Sequence, residues 1–402
     1  ALPTAEHGRR SGGGVMANRC AVIGIGQTKH TDKRLDVNHI GLVREACNRA
    51  LEDARLPWKD IDALVIGKAP DTIEGVICPE LYMAEALGMA GKPLFRVHTA
   101  GSVGGTTAIV GTELIGAGLH DKVLVLGWQK QSESDITWAL SPNLPFDPPL
   151  MAGAGGFFAP HFREYIRRSG APDYIGIKVA VKDRRHALRN PYAHLHQPSV
   201  CFEEIRDTLM LWDPLRFGET CPSSDGACAM VLSSEKFADH GSARPAWIHA
   251  TEMRSEPTIM PGRDEVNPRA GRDCAAALYK KAGITNPRKE FDCAEIYVAF
   301  SWFEPMLAET LGFAEPGEGW KLSDSGATSL EDGGDIPWNC SGGVLSSNPI
   351  GASGTLRFAE AALQVRGQAG ERQVDGARLA LAHALGGASQ FFAMWIVGSE
   401  KP

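Results

Sequence analysis

Apolar and polar positions fall in blocks along this chain, and the blocks recur. Cys20-Ala21-Val22-Ile23-Gly24-Ile25-Gly26 is an unbroken small and aliphatic run, as expected of a strand buried on both faces. An amphipathic helix is predicted from about Ile40 to Arg55, and a second buried strand from Ile61 to Gly67. Arg96 to Ala108 then bends through Gly101-Ser102-Val103-Gly104-Gly105 into small and aliphatic residues running to Gly118. This pattern predicts a tightly packed, buried helix starting near Gly104, followed by a strand from Asp121 to Gly127. A glycine-rich bend feeding such a helix presents free N–H groups and the positive end of the helix dipole. Many enzymes carry a nucleophile on a bend of this kind, and here the apex holds Gly101 and Ser102.

The same order returns late in the chain. A helix from Arg269 to Ala282 precedes the apolar segment Phe291 to Phe300, and a second bend, Asn348-Pro349-Ile350-Gly351-Ala352-Ser353-Gly354, opens a helix through Leu363 and a strand from Ala377 to Leu381. Strands alternating with helices predict an α/β protein with a parallel sheet covered on both faces. The repetition predicts a duplicated unit with a site where its halves meet. The expected divisions are 16–265 and 266–402, with an inserted loop region over about 129–220. That insertion carries Pro142, Pro145, Pro148 and Pro149 and is read as a lid or substrate-binding region. Within it, Lys182 to Tyr192 is basic: either a solvated helix face, or a phosphate contact through Arg184 and Arg185 for an anionic ligand such as a coenzyme A ester.

Composition narrows the classes. The chain has 402 residues, 43% hydrophobic and 22% charged, with a net charge of −7, so nothing suggests a nucleic-acid partner. No apolar run approaches the ~20 residues of a membrane span. The 9 cysteines are scattered singly without metal-ligand spacing, which is expected of reduced thiols in a cytoplasmic protein with no metal site of its own. Ala1 to Val15 is polar and glycine-rich, and reads as a disordered extension or an expression remnant.

Taken jointly, several motifs resemble the thiolase superfamily, in particular its sterol-carrier-protein-thiolase-like branch. They are His98 to Gly105, Lys182 to Tyr192, Cys221-Pro222-Ser223-Ser224-Asp225-Gly226-Ala227, Asn339-Cys340-Ser341-Gly342-Gly343 with Asn348 to Gly354, and Ala382-His383-Ala384-Leu385-Gly386-Gly387. The resemblance implies the thiolase fold, a duplicated five-layer αβαβα sandwich with an inserted loop domain, normally a homodimer. It also exposes departures. The position of the acyl-accepting cysteine is Gly101; the branch's His-Asp-Cys-Phe motif has Tyr297 for its histidine and Ala299 for its cysteine. The Gly-His-Pro histidine is Asn348, and the second cysteine of conventional thiolases falls near Ala384. Ordinary thiolase chemistry, which needs an attacking thiolate and an acid/base, is therefore excluded.

What remains suits aldol chemistry on an acyl-CoA. Backbone N–H groups at Gly101, Ser102, Gly386 and Gly387, with the Asn348 side chain, form the expected oxyanion cradle, each donor of this kind being worth roughly 3 kcal/mol. Tyr297 is the expected base for the β-hydroxyl proton, provided that a cation or oriented hydrogen bonds lower its pKa. His98 is either a structural histidine of the bend or a base of more suitable pKa, and Ser347 is a further substrate contact. His383 and the cluster Trp302-Phe303, Phe391-Phe392 and Trp395 are read as structural.

The pattern resembles the thiolase-fold steroid side-chain aldolases, which lack the cysteine, use tyrosines, and work with a small OB-fold partner, often bearing a zinc ribbon, of the domain-of-unknown-function-35 type. Their second tyrosine has no counterpart among Ser346, Ser347 and Asn348. The leading expectation is a retro-aldol lyase on a β-hydroxyacyl-CoA, steroid side-chain esters included, with no covalently bound cofactor. Two alternatives stand beside it. One is an acyltransferase using Ser102 or another cysteine such as Cys340; the other is a catalytically silent acyl-CoA-binding subunit. A ligand-reachable thiol directly over the cradle would require the lyase to be abandoned, and a crevice with no room for a pantetheine arm would be equally fatal to it.

Overall fold

The computed structural model describes residues 18–141, 152–257, 262–331 and 333–402. The expectations for Ala1 to Val15 and for the prolines at 142, 145, 148 and 149 fall outside these residues. The strands are β1 (Cys20–Gln27), β2 (Ala63–Gly67), β3 (Leu94–Val97), β4 (Lys122–Lys130), β5 (Met210–Trp212), β6 (Leu215–Arg216), β7 (Asp225–Ser234), β8 (Ala246–Ser255), β9 (Cys293–Glu295), β10 (Leu379–Gly386) and β11 (Phe391–Gly398).

Nine of them form one sheet in the order β3-β2-β4-β7-β1-β8-β11-β10-β9, while β5 and β6 pair separately. The duplication is written into this order. From the centre outward, β1-β7-β4-β2 is matched by β8-β11-β10-β9, and the halves join where Ala21 pairs with Trp247 and Val22 with Ala246. The sheet is mixed, not parallel as expected. β2, β3 and β4 run parallel, as do β9 and β10, but β7 and β11 return antiparallel beside β4 and β10. The β10–β11 connection is a short hairpin through Gly387, which forces the antiparallel sense.

Helix His39–Ala54 covers one face of the first half and buries Leu42, Val43, Ala46, Cys47, Ala50 and Leu51 at helical spacing. Its start is capped by Asn38, whose Oδ1 accepts the Gly41 N–H at 2.9 Å. Helix Arg269–Ala282 does the same for the second half, packing on β8 and β11. Between the halves, helices Val103–Gly116 and Ile350–Arg366 pack on each other and on strands of both halves. They approach so closely that a Cβ at Gly104 would collide with the Thr355 backbone, and one at Gly354 with Gly105. This gives the αβαβα layering of the thiolase fold. Among the described residues no helix is long and apolar enough to cross a membrane.

Candidate active site

The two bends meet at a cavity of about 550 Å³. Gly101 reaches it from the first half; Tyr297, Asn348, Gly386 and Gly387 reach it from the second. The inserted region supplies the apolar wall, including Ile136, Leu140, Phe157, Phe158, Trp212 and Phe217. The volume lies in the usual range for small-molecule sites, about 300–1,000 Å³.

At the first bend Ala100 is held at φ 51°, a left-handed conformation costing an L-residue roughly 1–2 kcal/mol. Gly101 follows, and a Cβ there would stand 3.1 Å from Leu385 O and 3.5 Å from Tyr297 Oη. The space that a side chain at 101 would take is thus bordered by the phenol. Ser102 is fully buried, and its Oγ donates to Thr99 O at 2.7 Å. It does not line the cavity, so the expectation of Ser102 as an alternative nucleophile is corrected: its hydroxyl caps the bend from behind. Gly386 sits against the same bend, where a Cβ would collide with Thr99 O and Ser102 N. That contact seats the end of β10 on the first half.

Tyr297 comes from an interrupted strand. The predicted run from Phe291 to Phe300 is a strand only at β9, because the Ile296 N–H donates to Asn339 Oδ1 at 2.8 Å and Val298 N to Ile296 O at 2.9 Å, turning the backbone. The Tyr297 N–H donates to His383 Nδ1 at 3.4 Å. Burial holds that ring neutral, its pKa down to about 3, so the nitrogen is free to accept. Just before the turn, the buried Glu295 is paired with Arg357 of helix Ile350–Arg366 and accepts from Ser341 Oγ at 3.0 Å. This ion pair ties β9 to the central helix layer.

The cation expected beside Tyr297 is not found among the described lining residues. Burial pushes the Tyr297 pKa well above its ordinary value and Cys221 adds to the rise; Ser353 and the charge of Arg357 oppose them without overcoming them. No Lys, Arg, His, Asp or Glu is among the described lining residues. Tyr297 therefore rests as a neutral phenol.

Asn348 is held on all sides. Its Oδ1 accepts from Ser353 Oγ at 2.7 Å, its N–H donates to Ser224 Oγ at 3.1 Å, and its carbonyl accepts from Gln131 Nε2. Ser224 is in turn bonded to His194 Nδ1 at 2.9 Å. The remaining Asn348 group, Nδ2, donates to Cys221 Sγ at 3.1 Å.

Cys221 is the site residue that sequence reasoning missed. It was visible only as the first letter of a motif, and a lone cysteine before proline carries no local signal of its partners. The structure puts it in the cavity wall, so the condition set against a lyase has to be met directly. The thiol is not poised to attack. Burial pushes its pKa up to about 12, and no imidazole, amine or carboxylate is among the described lining residues to take its proton. The thiol is also set aside from the Gly101 bend, where the atoms nearest a Cβ belong to Leu385, Tyr297 and Gly386 rather than to Cys221.

Other expected residues are not brought to the site. His98 is exposed and outside the lining, because it follows the edge strand β3 before the chain turns inward. Arg184 is only 7% exposed, with its Nε unpartnered, and does not line the cavity. Arg185 borders a separate depression with Lys178 and Lys182, so the phosphate contact expected of the pair is not found at the cavity. Ser347 is buried behind Asn348 and accepts the His194 N–H at 2.8 Å. Cys340 is 1% exposed and away from the cavity. Trp302, Phe392 and Trp395 are core, whereas Phe303 packs in the core and also borders the cavity.

Comparison with known proteins agrees with this architecture. Residues 253–399 match the family described as thiolase C-terminal domain-like. Sterol carrier protein 2 of Bos taurus is 30% identical over 400 residues, covering 92% of this chain and 70% of that protein. An acetyl-CoA acetyltransferase of Methanothermobacter thermautotrophicus is 30% identical over 384 residues, covering 91% and 96%. Among solved structures, an Ltp2-ChsH2(DUF35) aldolase superposes with TM-score 0.82 at 26% identity, over 96% of this chain and 98% of that one. Human mitochondrial 3-ketoacyl-CoA thiolase shares the fold with TM-score 0.70 at 16% identity, over 95% and 99%. A duplicated sheet, paired glycine bends and relatives that match 91–92% of this chain lead to one assignment: the chain belongs to the thiolase superfamily, in its sterol-carrier-protein-2-thiolase-like branch.

Proposed function

We propose that this thiolase-fold enzyme is a carbon–carbon lyase that cleaves a β-hydroxyacyl-CoA in the retro-aldol sense, without an acyl-enzyme. One observation carries the reading. The place of an acyl-accepting side chain, at Gly101, is bare, and the Tyr297 hydroxyl borders that space. In the reaction a base takes the β-hydroxyl proton, the Cα–Cβ pair passes into the thioester enolate, and Cα is then protonated. Tyr297 would act at the β-oxygen, and the Gly101 and Gly386–Gly387 backbone with Asn348 at the enolate oxygen. The aromatic wall favours a bulky apolar acyl group, steroid side-chain esters included. The aldolase with TM-score 0.82 supports the same class.

Two association surfaces belong to the proposal. Leu209, Met210 and Phe217 are exposed on the inserted region, Phe217 at the cavity wall, and suit a small OB-fold partner of the domain-of-unknown-function-35 type. The edge of β3 that pairs with no further strand among the described residues, with Phe95 and nearby Ile77, Leu81 and Tyr82 exposed, suits a homodimer. The test is incubation with β-hydroxyacyl-CoAs of increasing apolar bulk, with and without such a partner, measuring release of the shortened acyl-CoA and a carbonyl product. No cleavage across the series would sink the lyase.

A second reading rests on the Cys221 thiol in the cavity wall and on the acetyltransferase relative: acyl transfer through Cys221. Intact-protein mass after incubation with an acyl-CoA separates the two, since only transfer leaves an acyl adduct.

A further inference from the structure

The lyase reaction moves two protons, one off the β-oxygen and one onto Cα, and a second proton carrier beside Tyr297 would let each atom be served by its own group. Of the described residues lining the cavity, Tyr297 and Cys221 alone carry a titratable proton. They stand on either side of the Asn348 amide: Oδ1 faces Ser353, which neighbours Tyr297, and Nδ2 donates to Cys221 Sγ at 3.1 Å. Because the sulfur accepts from Asn348, its own S–H is directed elsewhere, and no acceptor for it is found among the described residues. The backbone holds the thiol in place. Cys221 N donates to Ala299 O at 3.0 Å and Thr220 bridges Phe300 in antiparallel sense, so Cys221 and Ala299 are neighbours on one edge of the cavity.

Building on the lyase reading, we infer that Cys221 is the acid that delivers the proton to Cα, and in reverse the base that removes it. The step balances without a co-reactant. As the Cα–Cβ bond breaks, its electron pair enters the enolate; Cα takes the S–H proton, and the resulting thiolate is held by Asn348 Nδ2. Tyr297 enters the step as its minor phenolate and takes the β-hydroxyl proton, and passing that proton on to the thiolate returns both groups to their starting forms. A neutral thiol at rest fits this role, as an attacking nucleophile would not.

The reverse half-reaction gives an assay that does not depend on knowing the acyl group: exchange of the acetyl-CoA methyl protons in deuterium oxide, read by mass spectrometry. Wild-type protein is expected to catalyse exchange, and Cys221→Ala to lose at least about 100-fold of it. Cys221→Ser, a weaker acid of similar size, is expected to fall between them. Cys221→Ala with Ala299→Cys returns a thiol to the same edge and is expected to recover at least tenfold over Cys221→Ala, with melting curves confirming that every variant is folded. No exchange by wild type, exchange at the wild-type rate in Cys221→Ala, or an acyl adduct on Cys221 would each overturn the assignment. The lyase reading fails separately: if exchange requires Cys221 but no β-hydroxyacyl-CoA is cleaved, the thiol role stands and the retro-aldol does not.

Discussion

At the first bend every side-chain polar group near the apex is turned away from the cavity: Gly101 has none, and the Ser102 hydroxyl is spent on Thr99. At the matching second bend, Asn348 points its amide at the cavity wall and each of its polar atoms has a partner. The same local plan, glycine-rich turn into a buried helix, has been emptied in one half and wired in the other. The difference teaches that a duplicated scaffold can divide its labour. One copy offers space and backbone, and the other, with Tyr297 beside it, offers hydrogen-bonding chemistry. Damage at the second bend should therefore remove chemistry, whereas changes at the first bend should alter fit; Cys221 belongs to the first half but not to its bend, and stands outside this division.

The largest effect is expected from Tyr297→Phe. Loss of the phenolic oxygen should lower kcat for cleavage by about 10³-fold while acyl-CoA binding is retained; an unchanged kcat would remove Tyr297 from the mechanism, and lost binding would point to packing instead. Asn348→Ala comes next, at about 10²-fold in kcat, the scale of one lost oxyanion donor. It also removes the hydrogen bond that favours the Cys221 thiolate, so the thiol should become less reactive to alkylation.

A pH profile sharpens the comparison further. The base form of Tyr297 is its phenolate, and its pKa is raised from the ordinary value. Below that pKa the phenolate fraction rises tenfold per pH unit, so kcat/KM should climb with slope +1 from pH 7 to 9 without a plateau, about 10²-fold in all. A plateau near neutrality would mean that substrate or a partner brings in the missing cation. Gly101→Cys probes the emptied bend. A Cβ there meets Leu385 O at 3.1 Å, so the fold should survive with a loss of about 1 kcal/mol, and cleavage should fall roughly tenfold as the new thiol crowds Tyr297. The smallest effect is expected from His98→Ala. This exposed side chain outside the cavity should leave turnover within about threefold; a larger loss would reinstate it as a base.

Much of the fold was legible because burial is periodic. Helix Arg269–Ala282 lies where a helix is expected over roughly the same residues, and helix His39–Ala54 within one residue at each end of its expected span. The sense of the sheet was not, since an apolar run reads alike in parallel and antiparallel strands. The β9 run looked longer than it is because the Asn339 side chain, distant in sequence, interrupts it at Ile296. Of the expected site residues, Gly101, Tyr297, Asn348, Gly386 and Gly387 converge on the cavity; Arg184, Arg185, Ser347, His98 and the Ser102 hydroxyl do not. The basic run on helix Ile175–Ala187 could not reveal which of its faces is buried against the rest of the protein.

By itself the sequence determined the duplicated elements, the paired bends and the bare position at 101, because each is encoded within a few neighbouring residues by side-chain size and polarity. Only the tertiary structure decided which groups share the cavity. Cys221 meets Asn348 and Ala299 through a hydrogen bond between separate segments, and Ser102 turns inward because Gly386 lets β10 press against its bend. Such proximities are set by packing across the fold, to which no local pattern of residues is sensitive.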